Sequence, residues 1–247
     1  MNNTTSSARG HRGNPSTYRE RLLRRRRILA IGTLVVLLAG ILVQAIGAAT
    51  ARAHAGVVTI SPANGRTLTT APKNVTITFN EGVETSAGRV QLLDGKAKAV
   101  DATFTLSADG STVTLTPRRV LPKGLYALRW SVVSADGHVV TGASTFSVSA
   151  QGKTGKAERL SARGSGGKTL TVTTTTGVGA KTFTVDSTKV TGLELRHKNL
   201  GATLEIPVVG GKATGILPYS GEWTLTVIER VSTYTEERYS AKLRLRT

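Results

Sequence analysis

An all-β chain, built as a Greek-key β-sandwich or barrel followed by a second small β-sandwich, is predicted by three observations. Short apolar runs alternate at period two, as in strands with one buried face. Turn residues punctuate them: Ser61-Pro62-Ala63-Asn64-Gly65, Ala71-Pro72, Asp94-Gly95, Asp109-Gly110 and Pro122-Lys123-Gly124, where Pro presets φ or Gly accepts a positive one. Finally, residues 54–247 have the length of two sandwiches of about 100 residues each.

The first 53 residues take no part in these domains. Residues 1–18 are rich in Asn, Ser, Thr, Gly and Arg, Arg24 to Arg27 form a cationic block, and residues 28–49 are an uncharged, mostly apolar run. With Ala51 and Ala53 at the end, these are the three parts of a signal peptide. A retained N-terminal membrane anchor is the alternative, since about 20 apolar residues span a bilayer. Arg25-Arg26-Arg27-Ile28-Leu29 also fits a twin-arginine export signal. Every reading places residues 54–247 outside the cytoplasm. Cleavage after Ala53 would make His54 the first residue, with a free α-amine beside its imidazole.

In the first domain, residues 54–149, strands are expected at 57–60, 75–79, 89–93, 112–116, 125–133 and 143–148. Within the fifth, Tyr126, Leu128, Trp130 and Val132 share one face and form core. Residues 150–167, with Gln151-Gly152-Lys153 and Arg163-Gly164-Ser165-Gly166-Gly167, read as a flexible linker. The second domain, 168–247, has strands expected at 169–175, 182–185, 193–196, 202–209, 223–228 and 240–246, with Trp223, Leu225 and Val227 in the core.

Composition narrows the function. The chain carries formal charge +18, but residues 1–53 hold nine Arg and one Glu, leaving +10 for residues 54–247. A basic surface could attract anionic lipid heads, cell-wall polymers or nucleic acid, yet aromatics are sparse and no basic run adjoins a recognition motif, which speaks against nucleic acid. There is no cysteine, so disulfides, thiolate metal sites and a cysteine nucleophile are excluded. No catalytic residue is assigned. Ser134-Ala135-Asp136-Gly137-His138 offers a carboxylate and an imidazole two residues apart, on one side of an extended chain. Alone, that spacing is also an ordinary Asp-Gly turn with a solvated histidine. His197, in Arg196-His197-Lys198, is expected at the surface among cations.

Taken in order, His54-Ala55 at the cleavage point, Ser61-Pro62-Ala63-Asn64-Gly65, Ala71-Pro72, Thr78-Phe79-Asn80-Glu81, Leu121-Pro122-x-Gly124-x-Tyr126, Trp130 and Ser134-Ala135-Asp136-Gly137-His138 resemble the CopC family of copper-resistance proteins over residues 54–149. The resemblance implies a cupredoxin-like β-barrel that binds one Cu(II) ion outside the cytoplasm. It implies as ligands the amine and imidazole of His54, a carboxylate oxygen of Asp136 and the imidazole of His138, with Glu81 beside the metal as a support or weak ligand. Cu(II) suits nitrogen and oxygen donors of this kind. Copper resistance, buffering or delivery to a membrane copper transporter of the CopD type is implied by the same resemblance. Some members carry a methionine-rich loop for Cu(I), but the one methionine here is Met1. Val139 comes after the histidine where the family has proline, and Gly82 comes after Glu81 where proline is frequent. Residues 217–227 resemble the small YtkA-like β-sandwich domains that accompany copper proteins. Two other classes compete: a histidine-brace copper oxygenase, and an Ig-like cell-wall or adhesion module without metal.

Overall fold

The computed structural model describes residues 55–86 and 89–247. The expectations for residues 1–53 and for His54 lie outside the described residues. All regular structure among them is β, in sixteen strands. The first region contains β1 (Val57–Ser61), β2 (Arg66–Leu68), β3 (Val75–Phe79), β4 (Val90–Asp94), β5 (Ala102–Leu106), β6 (Thr112–Pro117), β7 (Gly124–Val133) and β8 (Val139–Val148). A four-stranded sheet in the order β1-β3-β6-β5 faces β4, β7 and β8, and β2 runs parallel to β8. Val75, Ile77 and Phe79 from one side and Tyr126, Leu128, Trp130 and Val132 from the other share one buried cluster, so the period-two expectation for β7 holds. Two strands, β2 and β5, were not expected; β5 buries little of its surface, so its burial signal is weak.

The second region contains β9 (Ala157–Gly164), β10 (Thr169–Thr175), β11 (Gly179–Val185), β12 (Val190–Arg196), β13 (Thr203–Pro207), β14 (Lys212–Leu217), β15 (Gly221–Arg230) and β16 (Glu236–Leu245). They pair in the order β14-β11-β10-β9-β16-β15-β12-β13. Trp223, Leu225 and Val227 are fully buried in the cluster this sheet encloses. Burying each such side chain contributes about 1.5–3 kcal/mol.

The flexible linker is corrected. β9 lies within it and pairs with both β10 and β16. Before β9, Lys153 N–H donates to Val178 O at 2.8 Å and Ala180 N–H to Gln151 O at 2.8 Å. The Gly- and Lys-rich composition masks an alternation in which Leu160 and Ala162 point inward while Arg159, Ser161 and Arg163 point outward.

The two regions share one closing device. Tyr126 Oη–H donates to Pro122 O at 2.7 Å, and Trp223 Nε1–H to Tyr219 O at 2.9 Å. In each, a large ring bonds the carbonyl four residues earlier and fixes the entry to a ten-residue strand, β7 or β15. Asn64 joins the regions. Its Oδ1 accepts the Thr145 N–H at 3.0 Å while its Nδ2 donates to Glu205 O at 2.9 Å, beside the Leu204 to Ala143 pairing of β13 with β8. The turn motif Asn64-Gly65 is thus also a clasp.

Candidate metal centre

The hairpin between β7 and β8 presents Asp136 and His138. Ser134 N–H donates to His138 O at 2.9 Å, and Gly137, at φ +84°, supplies the left-handed residue the turn needs. Asp136 Oδ1 accepts from the Ser134 hydroxyl and from the His138 N–H at 3.1 Å, while Asp136 Oδ2 lies 3.1 Å from His138 Nδ1. The Ser134 hydroxyl, and then the His138 amide and ring, hold the Asp136 carboxyl well below the usual carboxylate range. It is therefore ionised at any pH where an imidazole could bind metal. The His138 side chain is 68% exposed and that of Asp136 21%, so the pair opens to solvent.

Glu81 and the start of the described chain reach the same hairpin. Glu81 Oε1 accepts the Ala135 N–H at 3.3 Å. Its neighbour Asn80 clamps Gly56 twice: Gly56 N–H donates to Asn80 Oδ1 at 2.6 Å, and Asn80 N–H to Gly56 O at 2.9 Å. Gly82 has a steric cause, since a Cβ there would meet Asp109 O at 2.7 Å. Proline, which carries a Cβ, would need that turn to move.

Of the sequence-derived candidates, the side chains of Asp136 and His138 lie against each other and Glu81 bonds the backbone of their hairpin, whereas His54 lies outside the described residues. Among the described residues no group of three or more His, Asp or Glu side chains converges on a metal position. Residue types alone give no role to Ser134 or Asn80. Their positions are visible in the motifs, but which group each hydroxyl or amide bonds is not.

His197 is corrected. It is buried, with 6% of its surface exposed, not solvated. Its Nδ1 accepts the Asn199 N–H at 3.1 Å, so Nε2 carries the proton and donates to Ser220 O at 3.1 Å. The ring packs on Tyr219 and Trp223 at centroid distances of 5.4 and 4.9 Å. Burial pushes its proton affinity down. Both nitrogens are committed to the backbone, so this imidazole has none to give a metal.

Comparison with known proteins bears on the first region. Residues 57–149 match the CopC domain family. The chain is 33% identical over 126 residues to Copper resistance protein C of Xanthomonas campestris pv. juglandis, a match covering 48% of this chain and 95% of that protein. The chain belongs to the CopC family. It is also 37% identical over 101 residues to Copper transport protein CutJ of Bacillus subtilis, covering 40% of this chain but 19% of CutJ, so it spans about a fifth of that relative. Among solved structures it resembles CopC from Methylosinus trichosporium OB3b, at 31% identity and TM-score 0.35, covering 38% of this chain and 93% of that one. CopC relatives thus bear the names of copper resistance and copper transport proteins, and the family match ends at Ser149.

Proposed function

We propose that this CopC-family chain is an extracytoplasmic Cu(II)-binding protein that buffers copper or hands it to a membrane transporter of the CopD type. Copper is its cargo. The ligands in this reading are the α-amine and imidazole of His54, a carboxylate oxygen of Asp136 and the imidazole of His138, with residues 54–149 as the copper-binding domain and the β9–β16 region as a second domain. One observation carries it. The Gly56–Asn80 clamp and the Glu81–Ala135 bond tether the start of the described chain to the Asp136–His138 hairpin. Two residues of extended chain span at most about 7 Å, the reach this reading requires of the residue before Ala55. The donor set of amine, imidazoles and carboxylate suits Cu(II). An ionised Asp136 needs no deprotonation before it ligates.

Cu(II) titration of the exported protein, together with its intact mass, tests the reading. The expected result is a mass beginning at His54 and one Cu(II) per chain, with an electron-spin spectrum of nitrogen and oxygen ligands. A mass that includes residues 28–53, or no stoichiometric Cu(II) uptake, would remove the ligand set.

A further inference from the structure

We propose that a cleft in the second region, walled by Arg196, Lys198 and Arg244, is a binding site for a phosphate-type oxyanion. The cleft has a volume of about 810 Å³, and Thr141 of β8 also lines it. This inference is independent of the copper reading.

Strand register puts the cations on one face. Arg196 of β12 pairs with Thr224 of β15, and Glu222, two residues earlier on β15, pairs with Arg244 of β16. Residues two apart share a face, and it is the outer one, because Leu195, Trp223 and Leu243 alternate with them into the core. The two arginines therefore flank β15, with backbones separated by on the order of 10 Å across two strand spacings. Side chains as long as arginine's can converge over the strand between them. Lys198 extends from the turn after β12.

This end of the face carries a surplus of positive charge. Glu222 is the one acid of the lining, and Lys242 Nζ holds it at 2.9 Å while also donating to Thr224 Oγ1 at 3.0 Å. Among the described residues, Arg196, Lys198 and Arg244 have no ion-pair partner. The opposite end of the same face gathers Glu194, Glu205 and Glu236 around Arg238, with Glu194 at 2.7 Å. A merely solvating face intersperses the signs; this one segregates them, and a concave wall concentrates the resulting potential.

The lining also selects the ligand class. Three surplus cations call for a multiply charged anion, and guanidinium forks bond oxyanions bidentately. Thr203, Ser220 and Thr224 add hydroxyl donors along the wall. The nearby rings of His197 and Trp223 are buried with their N–H groups committed, so no aromatic platform is offered to a base.

The test is calorimetric titration of the purified protein with inorganic pyrophosphate at low ionic strength. An Arg196→Gln/Arg244→Gln variant is compared with Arg159→Gln/Arg163→Gln, which removes equal charge from β9 outside the cleft. The expected result is one site that salt suppresses, weakened at least about tenfold in the cleft variant and unchanged in the control. Co-sedimentation with phosphatidylglycerol vesicles, against phosphatidylcholine vesicles, identifies the source. Sedimentation lost only in the cleft variant assigns the phosphate to a lipid headgroup, and pyrophosphate binding without sedimentation assigns it to a free anion; either upholds the site. No pyrophosphate binding, or equal losses in both variants, overturns it. Cu(II) affinity, measured in parallel, is expected to be the same in all three proteins.

Discussion

His138 and His197 are chemically the same side chain in opposite situations. His138 sits on an open hairpin, its ring beside a carboxylate and two-thirds exposed. His197 is closed in among rings, with each nitrogen bonded to backbone. Exposure, not the flanking sequence, separates a candidate ligand from a structural histidine. Arg196 and Lys198 suggested a solvated site, yet strand alternation turns them outward and carries Leu193, Leu195 and His197 inward.

This contrast can be broken by substitution. His138→Ala is expected to weaken Cu(II) binding by on the order of a thousandfold, or ~4 kcal/mol, with unfolding by urea nearly unchanged. His197→Ala should do the reverse. Losing the ring opens a cavity beside Trp223 and strands the Asn199 N–H and Ser220 carbonyl, at a cost of about 2–4 kcal/mol in urea unfolding while Cu(II) affinity stays intact. A copper loss in His197→Ala would mean that the two sites are coupled.

Acid sharpens the same distinction. Burial lowers the proton affinity of His197 in the folded state, so the unfolded chain binds the proton more readily. The stability His197 contributes is complete above the ordinary imidazole value of 6.5 and is lost as pH falls below it. Copper affinity should fall with pH as well, because protons compete for imidazole and amine nitrogens. His197→Gln should flatten the stability profile in urea melts and leave the copper profile unchanged; if both flatten, the assignment of roles is wrong. The smallest effect is expected from Ser134→Ala, which takes one hydrogen bond from Asp136 without removing a ligand. Its carboxyl should return toward the usual range, and Cu(II) affinity at pH 7 should drop by no more than about tenfold, measured by competition with a chelator.

Much of this was legible because it depends on period two. The cores of β7 and β15 come from alternation, whereas Asp136 and His138 meet across a hairpin turn at Gly137 and not along an extended chain. Other features depend on partners distant in sequence. Asn64 reads as a turn residue until Glu205 is folded against it, and Gly82 reads only as a departure from the family's proline until the Asp109 carbonyl occupies the space above it. The strand β9 was hidden for a different reason: its inward residues, Leu160 and Ala162, are few and its surroundings are rich in Gly and Lys, so composition outweighed pattern.

The claim that the α-amine of His54 is a copper ligand is tested most directly by inserting one alanine before His54. The insertion keeps every side chain but turns that amine into an amide and displaces the new one. The account predicts a Cu(II) affinity weaker by orders of magnitude, a changed electron-spin spectrum and an unchanged urea midpoint. Equal Cu(II) affinity and an identical spectrum in the extended and native proteins would contradict it.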